Sequence, residues 1–181
     1  MHALDWFGDI GAWLLSLVPR LYHVRSTHAA VRFTLGKASV IRPGIHFYWP
    51  ICSMIREICT VRQTLNLPWQ NIVSSDGVQI VIAVTIVYEV FDPFLALTTT
   101  DDVLDTISDL SANAIIDVAG RCPAECVRRR HNTDGKNLSI ILRHKIGSDL
   151  KSYGVRVRRA FVSDVAEPFM VRLISNQATF N

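Results

Sequence analysis

The closest pairing of reactive side chains in the chain is Cys122-Pro-Ala-Glu-Cys126. On a helix this spacing can place both thiols on one face, with His131 or His144 as candidate third ligands for zinc. Zinc sites usually match such a pair with a second one, and none is present, so the two cysteines read as small buried hydrophobes. Cys52 and Cys59 are seven residues apart in strand-like sequence, an odd interval that sends them to opposite faces. The six histidines are dispersed. His46 lies in an aromatic strand and reads as a hydrogen-bonded structural residue. The run Arg128-Arg129-Arg130-His131 could contact phosphates, but it reads more simply as a solvated helix end, where cations are favourable. No G-x-S-x-G elbow, H-E-x-x-H pair, phosphate-binding G-x-x-x-x-G-K-[ST] loop or G-x-G-x-x-G turn occurs. The residues therefore nominate no catalytic site, metal or cofactor. An enzyme reading would rest on the thiol of Cys122 or Cys126.

The elements that carry these residues belong to a chain of 181 residues with 49% hydrophobic and 19% charged content. That length suits one large domain or two small ones. A mean hydropathy of +0.23 excludes a disordered or heavily solvated chain. The net charge of +3 is small and the basic residues are scattered, which disfavours nucleic acid as a partner and leaves room for a mild preference for anionic lipid. Four cysteines make no disulfide framework and point to a reducing compartment.

The apolar excess is concentrated between Leu4 and Tyr22. On a helix, Asp5, Asp9, Ser16 and Arg20 share a sector of about 60°, leaving Trp6, Phe7, Ile10, Trp13, Leu14, Leu17 and Val18 on the broad opposite side. A helix of about 15 residues ending near Pro19 measures roughly 22 Å, short of the roughly 30 Å hydrocarbon core. The segment is also a poor secretory signal, because Asp5 and Asp9 stand where positive charge belongs. Two accounts compete: an interfacial or re-entrant membrane helix with flanking tryptophans at headgroup level, or a helix buried on its own domain or a neighbour. In the first account Arg20, His23, Arg25, His28 and Arg32 lie beside lipid phosphates.

Further along, residues 29–35 alternate as a strand, Gly36-Lys37 makes a turn and a second strand follows. Arg42-Pro43-Gly44 makes another turn before an aromatic run closed by Pro50. Residues 54–67 read as one longer strand. Val78, Ile80, Ile82, Val84, Ile86 and Tyr88 form the apolar face of the best strand in the chain. After Asp92-Pro93 the period becomes helical: residues 101–119 with Thr100 or Asp101 as N-cap and Gly120 ending the helix, a short helix from Pro123, and another over 137–152 stopped by Gly154. Residues 155–165 make a returning strand with Val155, Val157 and Phe161 inward, and Pro168 opens a terminal helix. A strand-rich half followed by a helix-rich half is an α+β pattern.

The string AAVRFTLGKASVIRPGIHFYWP at residues 29–50 resembles the opening of the stomatin/prohibitin/flotillin family, the SPFH or band-7 domain, with Ala30, Val31, Leu35, Gly36, Lys37, Pro43, Gly44, His46, Phe47 and Pro50 in matching places. Ser75-Asp76-Gly77-Val78 and its strand to Tyr88-Glu89-Val90, then Gly154-Val155-x-Val157 through Asp164-Val165 and Pro168, resemble two further family segments. Two departures stand out: Ser26-Thr27-His28 replaces the usual glutamate, and only thirteen residues follow Pro168, where the family continues into a long coiled coil.

The resemblance implies an N-terminal membrane-associated helix over 1–24, an SPFH domain over 25–168 and the start of a C-terminal helix over 169–181. It implies a non-enzymatic, membrane-associated scaffold that forms a homo-oligomeric ring or cage, with its globular domain on the cytoplasmic side. The alternative is a regulatory module that binds a membrane protease or channel. The expected membrane contacts are Trp6, Phe7, Ile10, Trp13, Leu14, Leu17, Val18, Arg20 and Arg25, and Phe47, Tyr48 and Trp49 are expected against the membrane or a neighbouring subunit.

Overall fold

A computed structural model of the chain describes residues 18–131 and 134–166. The long strand β8 (Gln79–Val90) organises the larger lobe. Its alternation is strict, with Ile80, Ile82, Val84, Ile86, Tyr88 and Val90 buried on one face. One edge of β8 pairs antiparallel with β7 (Gln70–Val73) and β6 (Gln63–Asn66), which lie end to end along it. The other edge pairs antiparallel with β9 (Val155–Ala166). Helix α2 (Val103–Gly120) and helix α4 (Leu138–Leu150) join the apolar face of this sheet in one core. In α4 the buried stripe is Leu138, Leu142, Ile146 and Leu150, spaced by four, and all four are fully enclosed. Burying each such side chain contributes about 1.5–3 kcal/mol.

The smaller lobe is built from β2 (His28–Thr34), β3 (Lys37–Ile41) and β5 (Ser53–Cys59) in the order β3-β2-β5, all antiparallel. A separate ribbon of β1 (Arg20–Val24) and β4 (Gly44–Tyr48) joins it through a small core of Val24, Ala30 and Ile41, with Tyr22 and Ile55 packed alongside. The short helix α1 (Pro93–Thr99), capped by Asp92 Oδ1 accepting from the amides of Phe94 and Leu95, leads from β8 to contact β2, β3 and β5. Arg56 then ties the lobes, donating to the Asp101 carbonyl at 2.7 Å and to its carboxylate at 3.3 Å. A short helix α3 (Ala124–Arg128) follows α2, and its first amide donates to Asp76, whose carboxyl is held below its ordinary range chiefly by the Ser74 hydroxyl.

The α+β pattern stands, with strands in the N-terminal half and helices in the C-terminal half. Several boundaries differ. Residues 20–24 of the expected 1–24 helix are strand β1, because alternation directs Tyr22 and Val24 into the small core. The expected strand over 54–67 is two strands, β5 and β6, serving different sheets. Helix α2 is capped by Asp102, whose Oδ1 accepts from the amides of Leu104 and Asp105, rather than by Thr100 or Asp101. Gly120 lies inside α2 and Arg121 caps it. Phe161 points outward, not inward: register shifts along β9 leave Arg158 and Ser163 as extra residues, so Val155, Val157, Ala160 and Val162 take the buried face. The terminal helix expected over 169–181 lies outside the described residues.

Two features of this frame generate predictions. Gly154 sits at φ +69° after the 3₁₀ turn Lys151–Tyr153, and its carbonyl accepts from the amides of Phe91 and Asp92. A Cβ there would strike the Asp92 carbonyl. Gly154→Ala is expected to lower unfolding free energy by about 2–4 kcal/mol, read by denaturant titration. Glu89 collects Arg158, Arg62 and Arg156. The Arg158 hydrogen bond is the main reason its carboxyl titrates below the ordinary 4.5, with burial acting against it. A depressed carboxylate contributes stability above its unfolded-state pKa and loses it as pH falls through the folded value. Stability measured downward from pH 4.5 should therefore fall less steeply in Glu89→Gln than in the parent chain.

Candidate functional site

The most exposed apolar side chains gather on the smaller lobe. The β2–β3 connection is a two-residue hairpin turn closed by the Thr34–Lys37 pair. Both turn residues have positive φ, Leu35 at 47° and Gly36 at 79°. This is the pattern of a type I′ turn, which favours Asn-Gly because an L side chain resists the left-handed region. Leu35 nevertheless occupies it and is 83% exposed. Its amide donates to the Cys52 carbonyl at 3.2 Å, which fastens the turn to the β4–β5 connection. That connection is pinned by the Trp49 carbonyl, which accepts from the Ser53 amide at 2.9 Å and the Ser53 hydroxyl at 2.6 Å. It presents Trp49 and Ile51 to solvent, and Met54 follows on β5.

The β1–β4 ribbon continues this surface. Leu21 pairs with Phe47 and His23 with Ile45, so Leu21, Ile45 and Phe47 all lie on the ribbon's outer face. Ile45 and Phe47 are 69% and 68% exposed. The inner face carries Tyr22 and Tyr48, whose rings meet edge to face at 5.9 Å. Burial raises the Tyr22 pKa, with the nearby Glu57 carboxylate acting in the same direction. His46 Nε2 donates to the Arg42 carbonyl at 2.8 Å, a structural role as its place in the strand suggests. Of the three aromatics nominated from sequence, Phe47 and Trp49 point outward, while Tyr48 is half-buried against Tyr22. Val18, Arg20 and Arg25 are exposed at the start of the lobe. Trp6, Phe7, Ile10, Trp13, Leu14 and Leu17 lie outside the described residues.

Charge is divided between the lobes. Residues 18–59 carry six basic residues and one acidic residue, Glu57, whereas residues 60–166 carry twelve of each. What reads as scattered along the chain is therefore a cationic small lobe on an electrically balanced large one. Arg56 has Asp101 as its partner. Among the described residues no carboxylate forms a salt bridge with Arg20, Arg25, Arg32, Lys37 or Arg42. Tyr48 and Trp49 border an open cleft of about 570 Å³ that is lined in part by Arg32, Thr34 and Lys37.

The reactive pairs have structural surroundings instead. Cys122 is buried in the large core with its thiol donating to the Val118 carbonyl at 3.4 Å, and Cys126 packs half-buried beside that core. His131 bonds the Arg129 carbonyl through Nδ1, and His144 lines a different cleft, with Phe91 and Arg156. Arg128 and Arg129 both pair with Glu125 on their own helix, as a solvated helix end would. Sequence reading missed Leu21, Leu35, Ile45, Ile51 and Met54. The available signal was an apolar residue before Gly36 in a turn where asparagine is favoured.

Family comparison matches residues 22–172 to the SPFH domain / Band 7 family. An uncharacterized protein of Archaeoglobus fulgidus is 24% identical over 170 residues, covering 93% of this chain and 67% of that protein. A stomatin homolog of Pyrococcus abyssi is 25% identical over 167 residues, covering 91% of this chain and 61% of the relative. Stomatin-1 of Caenorhabditis elegans is 24% identical over 147 residues, covering 80% of this chain and 43% of the relative. The chain thus spans about two thirds or less of the length of these relatives.

Leu35 makes a separable prediction. Leu35→Asn should relieve the left-handed strain and raise thermal or denaturant stability by about 0.5–1 kcal/mol.

Proposed function

Because the chain belongs to the SPFH domain / Band 7 family, we propose that it is a membrane-associated scaffold, with no catalysis of its own, whose small lobe faces the lipid. The observation that carries this reading is the coincidence of exposed Leu35, Ile45, Phe47, Trp49 and Ile51 with the unpaired cations of one lobe. Contiguous apolar surface on a soluble face marks a docking site for protein or membrane. Tryptophan favours the headgroup level, and each Lys or Arg close to an anionic leaflet adds about 1 kcal/mol of attraction. The anionic leaflet of a cell membrane is its cytoplasmic one, which supports placing the lobe there. No helix among the described residues is long and apolar enough to cross a membrane. Residues Trp6, Phe7, Ile10, Trp13, Leu14, Leu17 and Val18 are proposed to add an interfacial or re-entrant anchor.

Self-association into a ring or cage is the second part of the proposal. Among the described residues β9 pairs with β8 alone, so the outer edge of this twelve-residue strand offers alternate backbone groups to a neighbour, apart from the Ser163 carbonyl, which accepts from Arg130. Helix packing through a coiled coil is not required for such a contact.

Vesicle co-sedimentation tests the first part. The full chain should bind, and the triple variant Phe47→Ser, Trp49→Ser, Ile51→Ser should bind at least about tenfold more weakly with an unchanged unfolding midpoint. Deleting residues 2–17 should weaken binding further. Undiminished binding by the triple variant would overturn the lipid-facing assignment. Crosslinking on the same vesicles should yield a ladder of this chain. Monomer alone would remove the scaffold reading, and a stoichiometric foreign partner would favour the regulatory alternative.

A further inference from the structure

Even-numbered residues of β2 face the β1–β4 ribbon. Ala30 enters the small core, but the next two residues on that face, Arg32 and Thr34, are polar. Most of their cross-strand neighbours are polar as well: Ser39 opposite Arg32 on β3, with Ile55 on its β5 side, and Lys37 and Ser53 opposite Thr34. A sheet face covered by an aromatic corner would ordinarily continue apolar, so this row needs a reason. Ser53 is engaged, its hydroxyl donating to the Trp49 carbonyl. Ser39 makes only a long hydrogen bond, its hydroxyl donating to the Arg32 carbonyl at 3.4 Å. Among the described residues Arg32 Nε and Thr34 Oγ1 are enclosed without a hydrogen-bond partner, and neither Arg32 nor Lys37 has a carboxylate. The other half-buried arginine among the described residues, Arg56, is taken up by Asp101.

The geometry points to a binding site for a phosphate group carried on a lipid, held in the 570 Å³ cavity between this row and the Tyr48–Trp49 corner. The volume lies within the roughly 300–1,000 Å³ of small-ligand sites. A phosphate oxyanion is the complement of a lining that holds the Arg32 guanidinium, the Lys37 ammonium and serine and threonine hydroxyls with no acid among them. Leu35, Phe47 and Trp49 also line the cavity, giving it an apolar side suited to a glycerol and acyl chain and poorly suited to a free ion or a nucleic acid backbone. This deepens the lipid-facing reading proposed above and rests on it. That reading needs only attraction to a surface; the cavity adds one-to-one recognition of a headgroup.

Calorimetric titration of the full chain with three soluble probes separates the sources: dihexanoyl phosphatidic acid, inorganic phosphate, and dihexanoylglycerol, which lacks the phosphate. Phosphatidic acid should saturate at one per chain, inorganic phosphate should bind at least about tenfold more weakly, and dihexanoylglycerol should not saturate. Lys37→Gln, at the exposed first residue of β3 where folding should stay intact, should weaken phosphatidic acid about tenfold, and Arg32→Gln should do so more strongly. Arg32→Lys should recover only part of the loss, since it restores charge without the fork. Lys151→Gln, in the other basic cleft, is the charge-matched control and should change nothing. Equal binding of inorganic phosphate, indifference to Lys37→Gln, or an equal effect of Lys151→Gln would each overturn the site. Neutral phosphatidylcholine vesicles keep the two readings apart. If they bind while phosphatidic acid gives no saturable heat, the cavity proposal fails alone. If Lys37-dependent phosphatidic acid binding occurs without any vesicle binding, the lipid-facing reading fails and the cavity stands.

Discussion

The architecture depends on the two-residue period of β8. Six alternate side chains from Ile80 to Val90 are withdrawn from water on one face, and no helix or neighbouring strand can be placed without regard to them. A shift of one residue would bring Val81, Ala83 and Glu89 to the core face, so the register is set by burial rather than by hydrogen bonding alone. The alternating face accepts α2 and α4, and the two edges accept β9 and the end-to-end pair of β6 and β7. Because β8 ends at the point where α1 begins, the same strand also determines where the smaller lobe is attached.

The small lobe follows a contrary logic. Its core is a handful of residues, and its outer surfaces hold more large apolar side chains than its interior. Leu35 shows the conflict most clearly, since both its exposure and its left-handed backbone oppose a leucine there. The unpaired cations lie on the same lobe. Neither property improves folding, and together they describe a surface whose favourable environment lies outside the chain. The large lobe, with equal numbers of positive and negative residues and a continuous core, supplies the stability that the small one lacks.

This division explains what could be read from sequence. The β8 face, the helical stripes of α2 and α4 and the stop at Gly154 follow from short-range periodicity and a single backbone requirement, and two of the three family segments lie on β8 and on β9 with its Gly154 turn. Strand β1 was hidden because Leu21 and Tyr22 continue an apolar run, and only pairing with β4 separates them from it. The inward place given to Phe161 failed because one extra residue before it, Arg158, resets the alternation of β9, an event decided across the sheet rather than along the strand. The apolar surface was partly visible in Phe47 and Trp49, but Leu21 and Ile45 join it only through the β1–β4 register. The segregation of charge became legible only once the boundary between the lobes was known.

The direction in which β9 runs has a mechanical consequence. It begins beside Val90, next to the small lobe, and ends at Ala166 beside Val81, at the far pole of the sheet. A load applied between the small lobe and Ala166 would therefore act along the β8–β9 ladder, and many backbone hydrogen bonds would have to slide together before any gave way. A strand leaving from the near pole would instead be peeled off one bond at a time. The β8–β9 ladder thus runs from the small lobe to the opposite pole, the direction in which its hydrogen bonds resist together.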